Sequence, residues 1–309
     1  MNAAGGQVRT VIDPPRLAPR APDTHKGQTG RVAIIAGSRG MSGAACLAGV
    51  AALRGGAGLV RVYTPAAIQP IVASFEPGLM TVALPEDGVG RLAHAGVLAA
   101  IEQTKDWPDV VAIGPGLGQA PALGELIVGL LRLYDRPVVV DADGLNNLAT
   151  TARKTPWWTA RAGRPTIVTP HPGEMARLRA QAGLAQRDGQ DDETRRAVAL
   201  EFAHTTNAIT VLKGYRTVVA TPDAVYVNTT GNPGMATGGM GDVLTGLIAA
   251  LVGQGLSAFD AACLGVYCHG RAADLVAKQV GPLGYLAREV ADALPTALAE
   301  ASRAPMGFK

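Results

Sequence analysis

The chain has 309 residues, 48% hydrophobic and 17% charged, enough to bury a sizeable core in one large α/β domain or two small ones. Its 28 basic and 25 acidic residues leave a net charge of +3, too balanced for a general polyanion-binding field, and its 4% aromatics are not interleaved with basic clusters, so the composition disfavours nucleic-acid binding. Its 39 glycines follow no strict period, so collagen-like and low-complexity readings fail, and loops that approach a ligand closely become the expectation.

Residues 1–22 carry Arg9, Arg16 and Arg20 among scattered prolines and hold no apolar stretch of signal-peptide type. They read as an extended arm packing loosely on the rest. Strand-length apolar runs rich in β-branched residues follow at 32–36, 59–63, 110–113, 138–140, 166–169 and 209–212. Helical stretches lie between them at 42–54, 124–133, 172–182 and 192–205. This alternation predicts a mostly parallel sheet with helices on both faces. Next, 218–220 and 224–228 read as a hairpin turning at Thr221-Pro222-Asp223. The last third is helical, at 242–252, 257–277 and 284–300. The longest apolar run, 243–252, contains Thr245 and Gly246 and is too short for a membrane span.

In open parallel sheets, function gathers at the carboxyl ends of the strands. Five strands here run into polar or glycine-rich segments. These are Gly37-Ser38, Gly114-Pro115-Gly116-Leu117-Gly118, Asp141-Ala142-Asp143-Gly144, Pro170-His171-Pro172-Gly173-Glu174 and Lys213-Gly214. Lys213-Gly214-Tyr215-Arg216-Thr217 reads equally as a surface turn or as a phosphate-reaching segment. His171 reads either as a loop histidine before a helix opened by Pro172, or as a hydrogen-bond donor to substrate. His94 and His204 read as exposed helix positions, and His269 as packing or a surface contact. Cys46, Cys263 and Cys268 form no C-x-x-C and read as small core residues in a reducing compartment. No metal-ligand spacing occurs in the sequence.

The strongest segment runs from Thr230 to Asp242 and precedes an amphipathic helix. Gly234, Gly238, Gly239 and Gly241 would let backbone N–H groups face a cavity, and the helix N-terminus adds partial positive charge. Asp242 at that helix start is ordinarily an N-cap. A plain cap needs no such glycine cluster, and a carboxylate beside an anion hole can instead take a proton from a substrate hydroxyl. Neither a Walker P-loop nor a Rossmann G-x-G-x-x-G after a strand is present.

Taken in order, these segments resemble the ADP/ATP-dependent NAD(P)H-hydrate dehydratase family, which has a ribokinase-like fold. The resemblance runs from about His25-Lys26-Gly27 to the C-terminal helix. Its markers also include Ser42-Gly43-Ala44-Ala45, Arg54-Gly55-Gly56-Ala57-Gly58 and Asp141-Ala142-Asp143-Gly144-Leu145-Asn146. No single marker is diagnostic; the ordered set is. It implies an arm over 1–24 and a single α/β ribokinase-like domain over 25–309, stand-alone and without an epimerase domain. It implies a hydro-lyase that phosphorylates the ring hydroxyl of (S)-hydrated NADH or NADPH and eliminates it, giving NAD(P)H, AMP and phosphate.

Asp242 matches the family's base. Ala44, Gly116, Gly118, Asp141, Asn146 and His171, with Asp242, match substrate contacts. Lys213, Gly214, Tyr215, Arg216, Thr217, Asn232, Gly238, Gly239 and Gly241 match nucleotide contacts. The resemblance further implies ADP, or ATP, as co-substrate, Mg2+ on the phosphates, a homo-oligomer, a cytoplasmic location, and no nucleic-acid or membrane partner. Two other readings remain open: a vitamin-precursor kinase of the same fold, and a non-catalytic nucleotide-sensing module.

Overall fold

A computed structural model describes residues 8–151, 156–161, 163–187, 189 and 191–302. Their strands are β1 (Arg9–Val11), β2 (Arg31–Ile35), β3 (Leu59–Pro65), β4 (Met80–Leu84), β5 (Val110–Ile113), β6 (Val138–Val140), β7 (Thr166–Val168), β8 (Ile209–Leu212), β9 (Val218–Ala220) and β10 (Ala224–Val227). They form one sheet in the order β1-β10-β9-β8-β7-β6-β5-β2-β3-β4. From β8 to β4 every pairing is parallel. Only β9 runs against its neighbours, because the short Thr221-Pro222-Asp223 turn allows no crossover.

The helices are α1 (Ser42–Arg54), α2 (Gln69–Phe75), α3 (His94–Thr104), α4 (Pro121–Leu133), α5 (Asp143–Thr151), α6 (Pro172–Gln181), α7 (Asp192–Thr206), α8 (Met240–Gly253), α9 (Ala258–Val280) and α10 (Ala287–Ser302). Strand alternation divides them between two cores. Val32, Ile34, Val110 and Ala112 face α1, α8, α9 and α10. Ala33, Ile35, Val111 and Ile113 face α3 to α7. Both faces are thus buried, which explains why these strands read as unbroken apolar runs. Cys46, Cys263 and Cys268 are buried thiols, as expected. No helix among the described residues is long and apolar enough to cross a membrane.

Several elements escaped the sequence pattern. They are β4, α2, α3 and α5; β4 and α2 each bury only one residue and so offer little apolar pattern to read. Residues 1–7 of the arm lie outside the described residues. Of the part that follows, Arg9–Val11 pairs in register with Ala224 to Tyr226 of β10, while residues 12–25 are mostly exposed, in keeping with the expected loose packing. The free backbone groups of β10's outer edge are a template that a nearby extended segment completes.

Gly114, with φ +127°, leaves β5 where a Cβ would lie 1.9 Å from the Asp141 carbonyl oxygen, so the loops after β5 and β6 can pack together only without a side chain there. Gly114→Ala is expected to lower stability by at least about 2 kcal/mol. Urea unfolding checks this: the midpoint should fall with the slope unchanged.

Candidate active site

The strand order reverses between β2 and β5, so their carboxyl ends open a crevice at the point where such sheets bind ligands. Ser38, after β2, donates through Oγ to the Gly116 carbonyl at 2.8 Å. Gly116 has φ +60°, and a Cβ there would come within 2.9 Å of the Ala44 methyl, which puts Ala44 and Gly116 against each other in this crevice. The Gly118 N–H donates to Asp143 at 2.9 Å. Buried Asn147 donates to the Gly118 carbonyl at 2.8 Å and accepts from the Ala120 N–H at 3.1 Å, pinning the glycine-rich loop. Neighbouring Asn146 instead accepts from Arg177 at 3.0 Å and donates to Asp143 at 3.4 Å, in a half-exposed network. Asp143 stands in the marker segment read from the sequence but was given no role there, and Asn147 lies one residue beyond that segment.

Beside the crevice, three chain regions meet on Asp141, which is 1% exposed. Its Oδ1 accepts from Lys213 Nζ at 2.6 Å and its Oδ2 from Thr245 Oγ1 at 2.7 Å. A second buried carboxylate, Glu174, lies 3.8 Å from the same ammonium. Burial opposes the Lys213 charge, but Asp141, Glu174 and Asp242 together hold its pKa above the usual lysine value. Burial pushes the Glu174 pKa upward, with Lys213 acting against it.

His171 is the N-cap of α6. Its Nδ1 accepts from the Gly173 and Glu174 N–H groups at 3.0 and 3.4 Å, while Glu174 Oε2 accepts from the His171 N–H at 2.8 Å. That capping box leaves Nε2 as the donor, 3.3 Å from Glu174 Oε1, on an imidazole whose side chain is half exposed.

The glycine-rich run before α8 resolves one ambiguity. The N-cap is Gly239, with φ +89°, and the helix begins at Met240, two residues earlier than the apolar pattern indicates. Asp242 is therefore the third helical residue, and it makes no capping hydrogen bond. A side chain on Gly239 would also strike Leu47, at 2.6 Å. The first intrahelical bond runs from the Val243 N–H to the Gly239 carbonyl, so the N–H groups of Met240, Gly241 and Asp242 have no helical acceptor. Gly241 lies over the charge cluster: a Cβ there would sit 3.3 Å from Lys213 Nζ. Half-buried Asp242 has its pKa raised to about 7, by burial first and by Asp141 second, with Lys213 pulling it down. A carboxylate poised near neutrality beside unpaired N–H groups suits general-base chemistry at an anion site.

A cavity of about 560 Å³ opens from this point, with Lys213, Gly214, Tyr215, Arg216, Thr217, Asn232 and Gly241 in its wall. Gly238 and Gly239 shape the helix start without lining the cavity. The two cations of the 213–217 segment are engaged within the protein, Lys213 as above and Arg216 with Asp192. Buried Arg195 fixes the segment from behind through the Leu212 and Lys213 carbonyls, at 3.1 and 3.2 Å. Asn232 caps the short turn Pro233–Met235 and accepts from the Tyr285 hydroxyl at 2.5 Å.

A doubly wound sheet whose crevice, charge cluster and helix-terminal anion site share one edge is a ribokinase-like α/β fold, as expected. The chain belongs to the NAD(P)H-hydrate dehydratase family, whose model matches residues 32–296. It is 46% identical over 284 residues to the bifunctional NAD(P)H-hydrate repair enzyme Nnr of Moorella thermoacetica, covering 92% of this chain and 52% of that protein. The chain thus spans about half the length of the bifunctional relatives it matches. It is 41% identical to the ADP-dependent (S)-NAD(P)H-hydrate dehydratase of Neisseria meningitidis, covering 89% of this chain and 86% of that one. The ADP/ATP-dependent NAD(P)H-hydrate dehydratase of Bacillus subtilis, co-crystallised with ATP and Mg2+, superposes with a TM-score of 0.76 at 31% identity, covering 93% and 95% of the two chains.

Removing the Lys213 ammonium would leave Asp141 and Glu174 buried without compensation. Lys213→Met is therefore expected to cost about 3–5 kcal/mol at neutral pH. The deficit should shrink near pH 5, where protonation removes the uncompensated charge. Urea unfolding at the two pH values measures both; a loss independent of pH would contradict the charge-pair account.

Proposed function

We propose that this protein is an ADP-dependent (S)-NAD(P)H-hydrate dehydratase. The observation that carries this reading, alongside family membership, is the unpaired Asp242 carboxylate with its pKa near 7, set beside the free N–H groups of α8. The hydrated cofactor would lie in the crevice between Ala44 and the Gly116–Gly118 loop, within reach of His171 Nε2. Asp141 would act through the charge cluster, because both of its oxygens are already occupied, and Asn146 would contribute at the crevice rim. ADP would fill the cavity walled by residues 213–217, with its terminal phosphate at Gly241 over Lys213.

In this arrangement Asp242 takes the proton of the ring hydroxyl, and that oxygen attacks the terminal phosphorus of ADP, releasing AMP. The carbon–oxygen bond then breaks with the phosphate as leaving group. The ring nitrogen supplies the electron push, and loss of the neighbouring ring proton restores the double bond of NAD(P)H. Backbone N–H groups and the α8 terminus carry the charge on the transferring phosphoryl group.

Magnesium, when bound, would neutralise phosphate charge. No group of three His, Cys, Asp or Glu residues among the described residues could cage a metal. The donors present fit an ion held mainly by phosphate oxygens and water. The reading also includes a homo-oligomer and a cytoplasmic location, the latter in keeping with three unpaired buried cysteines. Residues 25–309 would form one domain, clasped at β10 by the arm.

Incubation with hydrated NADH and ADP tests the activity. Absorbance of the reduced nicotinamide should recover, and its failure to do so would overturn the dehydratase reading in favour of a kinase acting on another hydroxyl. Asp242→Asn should abolish turnover while ADP binding survives. In the wild type, kcat/KM should rise with pH through about 7 as Asp242 loses its proton. A flat profile there, or an active Asp242→Asn variant, would refute the base assignment. His171→Ala should raise KM for the hydrated cofactor more than KM for ADP, since the lost contact is one of binding. Equal effects on both would place His171 outside the substrate crevice.

A further inference from the structure

Arg39, Arg91 and Arg177 border the crevice. The Arg91 stem packs on Gly118, where a Cβ would lie 2.9 Å from its Cδ, and Arg39 follows Ser38, which is bonded to Gly116. Carboxylates engage both of these cations, Asp87 holding Arg91 at 3.0 Å and Glu86 holding Arg39 at 3.4 Å. Arg177, on α6, is exposed and makes no ion pair among the described residues; its hydrogen bond is to a neutral amide.

A chain of bonds ties Arg177 to the crevice loop. The Gly118 N–H donates to Asp143 Oδ2, Asn146 Nδ2 donates to Asp143 Oδ1, and Arg177 Nε donates to Asn146 Oδ1 at 3.0 Å. That last bond fixes one edge of the guanidinium and leaves its two terminal nitrogens for another acceptor. One turn back on α6, Gly173 keeps the space beside them open. A Cβ there would lie 3.0 Å from His171 Cε1 and 3.9 Å from Arg177 Nη1, so the imidazole and the guanidinium flank one notch.

We propose that Arg177 is a substrate-binding residue that takes the diphosphate of the hydrated dinucleotide at the crevice rim. The proposal rests on the reading of the crevice as the hydrated-cofactor site. Asp141, Asp143, Glu174 and Asp242 crowd this end of the sheet with carboxylates, and Lys213 is already paired with Asp141. A guanidinium without a carboxylate partner is the group on this rim best able to offset phosphate charge. Its terminal N–H groups match phosphate oxygens two at a time, which an ammonium cannot do. The diphosphate is favoured over a phosphate on the far ribose because a single ribose joins it to the nicotinamide ring. The far ribose lies a whole nucleotide beyond the Gly116–Gly118 loop to which Arg177 is tied.

The test varies the phosphate on the substrate. With ADP saturating, hydrated NADH, hydrated NADPH and hydrated reduced nicotinamide riboside, which has no phosphate, are compared as substrates or as competing inhibitors. Arg177→Gln, an exposed change to another good helix former, should lower kcat/KM for both dinucleotides by a similar factor, roughly five- to thirtyfold and through KM, while the riboside changes by less than about twofold. Arg177→Lys, which keeps the charge, should recover part of the loss. An equal loss on the riboside, or a lysine variant no better than glutamine, would make Arg177 a strut for Asn146. A loss seen only with hydrated NADPH would place it at the 2′-phosphate. Each of these results overturns the proposal. Should the glutamine variant not fold, the wild type decides: added salt should weaken its use of hydrated NADH but not of the riboside, and equal salt dependence overturns the proposal. If the wild type restores reduced nicotinamide from neither hydrated NADH nor hydrated NADPH, the dehydratase reading itself fails. If it does so and Arg177→Gln is unimpaired, this proposal fails alone.

Discussion

Lys213 and Asp141 lie 72 residues apart in sequence, at the ends of β8 and β6, and meet at 2.6 Å with β7 between them. The rest of the site depends on this contact. A carboxylate 1% exposed to solvent is costly unless paired and hydrogen-bonded, and here one oxygen takes the ammonium and the other the Thr245 hydroxyl from α8. The pair therefore ties the sheet to the helix that carries Asp242. It also shapes that residue's behaviour: burial first raises the Asp242 pKa, Asp141 adds to the rise by repelling a second negative charge, and Lys213 opposes it, leaving the group at about 7. Lys213 is thus better understood as a fixed buried charge beneath Gly241 than as a mobile arm reaching for phosphates.

From that centre the carboxyl edge of the sheet divides into two regions with different physics. Toward β2 and β5 the crevice is made by close backbone approach, with Gly114 and Gly116 admitting neighbours that a side chain would exclude. Toward β8 and β9 the cavity has apolar walls, backbone donors at one end and buried His269 in its wall. Asp242 stands between them, where a hydroxyl from one region and a phosphoryl group from the other could meet.

How much of this was legible in the sequence depended on how local each cause is. The parallel strands and most helices announced themselves through period and composition, because both sheet faces are buried. The glycine-rich run before α8 was visible for the same reason: only glycine tolerates the backbone angle at position 239. For Asp242 the sequence left two readings side by side, a cap and a base. An aspartate near a helix start looks like a cap, and only the observed start at Met240 removes that reading. His171 showed the converse, since a residue singled out for a possible ligand contact also caps α6.

By itself, the sequence determined the α/β alternation, the strand ends that carry polar residues, and the family to which their order corresponds. Those are properties of short segments, set by periodicity, turn chemistry and glycine. Only the tertiary structure decided that Thr245 and Glu174 join the Asp141–Lys213 pair, that Asn147 rather than Asn146 anchors the crevice loop, that β1 completes an edge, and that His269 is buried with an unpaired nitrogen. Each of these depends on which residues distant in the chain exclude water from one another, and burial of that kind has no signature in a local stretch of sequence.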